Sequence, residues 1–164
     1  MKILVQQKKA LNMLDIAAKF VSKNSTLPIL QNIYLKASID SLLIRATDME
    51  KYVEIEIPCE VQIEGAITIN AKTFLDILKT IESENIELSV DQKTNIMTIK
   101  TPKDTFDING IAASEYVALP EVPQENSFVL DTLAFSKGID HVEYAVTEKS
   151  FSPVLTGVLM KTGK

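Results

Sequence analysis

The sequence predicts an α+β protein in which helices are confined to one side of an antiparallel sheet. Three observations carry that expectation. Only two segments of the first 120 residues repeat their apolar positions at helical spacing, nearly everything else alternates apolar and polar residues with period two, and the alternating segments are separated by short turns. Short turns join antiparallel hairpins, whereas parallel strands need long crossovers.

The first helix is expected over residues 8–22, where Leu11, Leu14, Ala18 and Val21 form an apolar stripe and Lys8, Asn12, Asp15, Lys19 and Ser22 the opposite one. The second is expected over residues 71–81, with Phe74, Ile77, Leu78 and Ile81 on one side, Lys72, Asp76 and Lys79 on the other, and Asn70 placed as its N-cap. Strand alternation occurs at Ile33, Leu35 and Ala37; at Leu42, Ile44 and Ala46; at Val53, Ile55 and Ile57; at Ile86, Leu88 and Val90; and at Phe106 and Ile108. The order reads strand, helix, three strands, and then the same again.

At 164 residues and 46% hydrophobic the chain can bury an ordinary core. Its start turns polar at Gln6, before a signal-peptide core could form, and no apolar run approaches the roughly 20 residues that cross a bilayer. A cytoplasmic protein without membrane association is expected. Cys59 is the only cysteine, which excludes an internal disulfide and a thiolate metal cage, and it is read as a packed side chain.

After Gly110 the pattern gives way to a proline-punctuated stretch, Leu119-Pro120-Glu121-Val122-Pro123, of the kind that joins domains. The expected boundaries are a first domain over residues 1–122, a linker over 123–126 and a second, truncated unit over 127–164. An internal comparison supports this. Shifted by 125 residues, Ile3-Leu4-Val5 falls on Phe128-Val129-Leu130, Ala17 on Val142, Val21 on Val146, and Pro28-Ile29-Leu30 on Pro153-Val154-Leu155, without a gap.

Catalytic chemistry finds little to build on. His141, the only histidine, has no serine or cysteine partner at a recognisable elbow and reads as structural or exposed; the five glycines form no phosphate loop. Glu54, Glu56, Glu82 and Glu84 fit a solvated sheet face. No catalytic residue, metal site or cofactor is expected. Charge is more informative. The chain carries a net −5, yet residues 7–23 hold Lys8, Lys9, Lys19 and Lys23 against Asp15, and residues 71–81 hold Lys72 and Lys79 against Asp76. Basic helices on one side of an acidic sheet would meet a polyanion with that side alone.

Several segments together resemble the bacterial DNA polymerase III beta subunit family, the beta sliding clamps. They are Ser25-Thr26-Leu27-Pro28-Ile29-Leu30-Gln31-Asn32, Ala46-Thr47-Asp48-Met49-Glu50, Gly65-Ala66 with Asn70-Ala71-Lys72-Thr73-Phe74, Ser114-Glu115-Tyr116 with Leu119-Pro120, and Ser152-Pro153-Val154-Leu155-Thr156-Gly157-Val158. The resemblance runs in order through the whole chain. It implies the DNA clamp fold, with antiparallel sheets outside, helices on the inner face and the strand-helix-three-strand unit twice per domain. It also implies a homodimeric ring that encircles double-stranded DNA without reading sequence, and that holds DNA polymerase and clamp-loader subunits through linear peptides.

By position, the resemblance places Lys23, Asn24, Lys72 and Lys149 at DNA, and the polar helix stripes add Lys8, Asn12, Lys19 and Lys79. Thr73, Phe106 and Ile108 match the family's subunit interface, and Ser152, Val154 and Leu155 the margin of its peptide cleft. The family often carries arginine where this chain has Asn24 and Ser152. A competing reading is a truncated interaction module whose exposed sheet edges pair with another chain.

Overall fold

The computed structural model describes residues 1–22, 25–118, 129–147 and 149–161. The chain divides into two compact units, Met1–Leu119 and Pro120–Lys164.

The first unit runs β1 (Lys2–Gln6), α1 (Gln7–Ala17), β2 (Asn32–Ser38), β3 (Ser41–Thr47), β4 (Tyr52–Pro58), β5 (Glu60–Ile63), β6 (Gly65–Asn70), α2 (Ala71–Thr80), β7 (Asn85–Asp91), β8 (Ile96–Lys100) and β9 (Thr105–Asn109). All strand pairs are antiparallel, but they form two sheets rather than one layer, ordered β5-β1-β7-β8-β9 and β4-β3-β2-β6. Period-two alternation tells which side chains face the core and is silent about which strands are neighbours. β1 thus leaves the three strands that follow it and pairs with β7, placing Ile3 opposite Leu88 and Val5 opposite Ile86.

The inward residues of both sheets and the buried rows of both helices make one core, in which Ile3, Ile33, Leu35, Ile44, Ile67, Ile69, Phe74, Leu78, Ile86, Leu88 and Met97 are fully buried. Cys59 packs against this core, and burial pushes its thiol up from its ordinary value, with Asp40 adding to the rise.

α2 follows the expected pattern in part: Asn70 accepts the Thr73 backbone N–H at 3.0 Å and Phe74 and Leu78 are buried, but Ala71 and Leu75 complete the buried row, Ile77 is half-buried, and Ile81 is buried just past the helix end at Thr80. α1 departs from it twice. It ends at Ala17, where the chain tightens, Lys19 N–H donating to Ile16 and Phe20 N–H to Ala17, so Lys19 lies in a turn beyond the helix. Its buried row is Gln7, Ala10, Leu14 and Ala17, leaving Leu11, Ala18 and Val21 only half-buried. The row turns this way because Gln7 is drawn inward, its carboxamide donating to the Leu78 carbonyl at 2.7 Å.

β5 is a strand that the alternation did not reveal. After β9 the chain straps itself onto the second sheet: Thr68 and Ile111 exchange backbone hydrogen bonds at 3.0 and 2.9 Å. The Thr68 hydroxyl adds a third bond to the Ile111 carbonyl. The Tyr116 hydroxyl then reaches the Arg45 carbonyl at 3.4 Å, and its ring lies 5.5 Å from that of Tyr34.

In the second unit α3 (Thr132–Asp140) is capped by Asp131, whose carboxylate accepts the Ala134 N–H at 2.8 Å. α3 begins 125 residues after α1, and a 3₁₀ turn at Pro153–Thr156 repeats the one at Pro28–Gln31 at the same offset. Residues 129–130 and 158–161, where the repeat would place strands, have no strand pairing, and Val129, Leu133, Tyr144, Phe151, Val154 and Leu159 are exposed.

Candidate nucleic-acid interface

The site is built on the two helices of the first unit, which lie side by side and antiparallel. Gln7, at the start of α1, bonds to Leu78 near the end of α2, while Ala18, Val21 and Ser22 after α1 share a groove with Asn70, Lys72 and Leu75 at the start of α2. Each helix turns its buried row toward the sheets, so the pair has a common outer surface. On it Lys8, Asn12, Lys72 and Lys79 are exposed, and Lys19 stands beside them in the turn after α1. Lys9 is exposed as well and was missed; it stands one residue off the polar stripe, where helical spacing did not select it, although the charge count contained it.

Two carboxylates share this surface. Asp15 lies 3.6 Å from the Lys19 ammonium, four residues on, with both side chains well exposed. Asp76 sits between Lys72 and Lys79 on α2 and, like those two lysines and Lys8 and Lys9, has no ion-pair partner among the described residues.

The opposite side of the unit carries charges of both signs, with Lys36 and Arg45 on the same outer face as Glu54 and Glu56. α1 packs on β4, whose Val53, Ile55 and Ile57 turn toward the core, so Glu54 and Glu56 face away from the helices. Glu54 is bound to Arg45 and Glu56 accepts from the Ser41 hydroxyl. Exposed ammonium groups gathered on the helix side, against a mixed outer face, suit a phosphate backbone approached from that side.

Thr73 is exposed on the first turn of α2, with its hydroxyl on the Asn70 side chain. Phe106 is half-buried, and Ile108 packs into the core at 6% exposure. What β9 does present is its outer edge, since it is the last strand of the five-stranded sheet. Lys149, Ser152, Val154 and Leu155 are exposed in the second unit, as is His141 at the end of α3. Lys23 and Asn24 lie outside the described residues.

Among the described residues no group of three His, Cys, Asp or Glu side chains is arranged to hold a metal, and no helix is long and apolar enough to cross a membrane.

Comparison with known proteins identifies the fold and the family. The family model described as "DNA polymerase III beta subunit, N-terminal domain" matches residues 1–120. The beta sliding clamp of Halalkalibacterium halodurans is 32% identical over 149 residues, covering 86% of this chain and 39% of the relative. That of Bacillus subtilis is 30% identical over 169 residues, covering 98% and 44%. The crystal structure of the DNA polymerase sliding clamp from Bacillus subtilis superposes with a TM-score of 0.87 at 27% identity, over 96% of this chain and 43% of that one. This chain thus spans less than half the length of the curated relatives it matches.

Proposed function

Because the chain belongs to the DNA polymerase III beta subunit family through its N-terminal domain, we propose that it is part of a sliding clamp that encircles duplex DNA and tethers the replicative polymerase. The observation that carries this reading is the antiparallel helix pair, with its exposed lysines gathered on one side of the first unit. In this reading residues 1–122 are the first clamp domain, 123–126 the linker and 127–164 the start of the second.

Such a wall works by linkage. A closed ring cannot leave a long duplex sideways, so its inner surface needs only weak, sequence-independent phosphate contacts that exchange as the protein slides. Lys8, Asn12, Lys19, Lys23, Asn24, Lys72, Lys79 and Lys149 are the proposed DNA contacts, to which the exposure of Lys9 adds one more. Tight binding would slow translation, and flexible lysines, which act as point charges rather than bidentate forks, suit a moving ligand.

The subunit interface is proposed at Thr73, Phe106 and Ile108, the last two on β9, which is the edge strand of the five-stranded sheet. Ser152, Val154 and Leu155 are proposed as one margin of a cleft for linear peptides of DNA polymerase and the clamp loader. The protein works without a catalytic site or cofactor of its own, in the cytoplasm, as a homodimer.

A chimera tests the reading. Residues 1–120 of this chain are exchanged into the Bacillus subtilis beta sliding clamp in place of the matching segment. The chimera is expected to stay on nicked circular duplex and to be lost when that circle is linearised. Equal retention on both forms would show adhesion rather than encirclement and would overturn it.

A further inference from the structure

We infer that residues 110–116 form a latch that fixes where the chain leaves the first unit, with Tyr116 as its bolt, and that this latch opens by itself while the two sheets stay folded. The inference concerns the first unit and its exit alone, and it does not depend on the reading of the helix surface given above.

The latch crosses from one sheet to the other. The Gly110 N–H donates to the Asn95 carbonyl at 2.8 Å, in the turn between β7 and β8 of the five-stranded sheet. One residue on, Ile111 exchanges backbone hydrogen bonds with Thr68 on β6, the last strand of the four-stranded sheet. An edge strand leaves its outward N–H and C=O groups unpaired unless something covers them. Ile111 covers those of Thr68.

Side chains carry the fastening further. The Asn32 carboxamide donates to the Thr68 hydroxyl at 3.2 Å, and that hydroxyl donates to the Ile111 carbonyl at 3.0 Å; Asn32 and Thr68 are both buried. A 3₁₀ turn at Ala113–Glu115 then brings Tyr116 to β2 and β3, where its hydroxyl lies 3.5 Å from the Asn32 carbonyl and 3.4 Å from that of Arg45. The Tyr116 ring lies 5.5 Å from that of Tyr34, and the Arg45 guanidinium stands 5.8 Å from the centre of the Tyr34 ring.

What makes the latch a separate element is where the core ends. Among the described residues the buried apolar core stops at Ile108, and no residue of 110–116 is buried: Ile111 and Tyr116 are half-buried, Ser114 and Glu115 exposed. Lifting the strap breaks a few hydrogen bonds and one aromatic contact, and leaves sheets and helices packed. Segments held by such marginal contacts open at free energies below that of global unfolding. Once lifted, the strap adds its own residues to the stretch that joins the units, and the exit moves from beside β2 and β3 back to the end of β9.

Hydrogen exchange and spin-label distances in the 164-residue chain test this. Tyr116→Phe removes the hydroxyl and keeps the ring, Tyr116→Ala removes both, and Thr68→Val removes the relay hydroxyl. Tyr116→Phe is expected to speed exchange of the Ile111, Glu115 and Tyr116 amides by about twofold to tenfold, the factor that one net hydrogen bond supplies. Tyr116→Ala should do so by more, while amides of β2, β3 and β7 keep their wild-type rates. Labels at two exposed positions, Lys103→Cys and Lys137→Cys in a Cys59→Ala background, report the spread of distances between the units. That spread is expected to widen from wild type through Tyr116→Phe to Tyr116→Ala. The inference is overturned if Tyr116→Ala leaves the strap amides at wild-type rates, or if strap and sheet amides accelerate together, which would make the strap part of the cooperative core. A loosened strap with an unchanged distance spread also overturns it, because Tyr116 would then not hold the exit. Thr68→Val should loosen Ile111 and Tyr116 together, and loosening at Ile111 alone would show two separate contacts in place of one latch.

Discussion

The carboxamide of Gln7 donates to the carbonyl of Leu78 at 2.7 Å, joining the first turn of α1 to the last turn of α2. Gln7 is only 6% exposed, and its backbone N–H also donates to Glu84 at 2.9 Å, so the residue closes the C-terminal end of α2 from the neighbouring helix. Replacing it with alanine removes a side-chain donor from a buried carbonyl. A loss of about 1–3 kcal/mol is expected. It would be read as a lower urea midpoint with an unchanged denaturant slope.

Gly110 marks the second constraint. A Cβ there would lie 2.6 Å from the Thr68 carbonyl oxygen and 2.7 and 2.8 Å from the Ile67 and Ile69 side chains, so the backbone of β6 would have to move. Gly110→Ala is expected to cost about 1–3 kcal/mol by overpacking. At Gly138, by contrast, nothing approaches within 4 Å. Gly138→Ala should therefore leave the melting of the first unit unchanged, and a shift of similar size in both variants would argue against the steric account.

Tyr116 gives a pH dependence with a definite sign. Burial pushes its phenol up to about 12, opposed in part by the Thr47 backbone amide and the Arg45 guanidinium. The folded state therefore keeps its proton through a range where the unfolded chain, near its ordinary value of 10.0, has lost it. Stability from this group is complete below pH 10 and declines as pH rises toward 12. Tyr116→Phe should flatten that part of the stability profile, as measured by chemical denaturation at successive pH values, and an unchanged decline would assign it to other groups.

The two units should differ in protection from hydrogen exchange. The first has paired sheets and a closed core, whereas α3 leaves Leu133 74% exposed and the apolar residues around it exposed as well. Local opening free energy follows buried contact. Amides of β2, β3 and β7 are expected to exchange slowly, and those of α3 and the turn at Pro153–Thr156 fast. Equal protection across both units would contradict this.

What could be read from the sequence followed from which physical signals are local. Alternation placed β2, β3, β4 and β7 because one face of each is wet, and Asn70 announced α2 because an N-cap acts within a single turn. β5 escaped because only Val61 of its four residues is even half-buried, so no alternation of burial accompanies it. The α1 stripe was misplaced because a glutamine sits in the core-facing row, where only its distant partner Leu78 makes it acceptable. Ile108 looked equally suited to an edge contact and to the core, and within this unit its register opposite Met97 on β8 turns it inward, a long-range pairing that the local pattern does not hold. The basic surface was legible as composition, but the pairing of Lys19 with Asp15 required coordinates.

The antiparallel setting of α1 and α2 has a consequence for motion. Peptide dipoles in the two helices point in opposite directions and largely cancel, so neither end of the pair offers the concentrated positive pole at which an anion would lodge. The attraction left over comes from ammonium groups on flexible stems, spread along both helices. A phosphate passing over such a wall meets a shallow, nearly even potential with no deep well to arrest it.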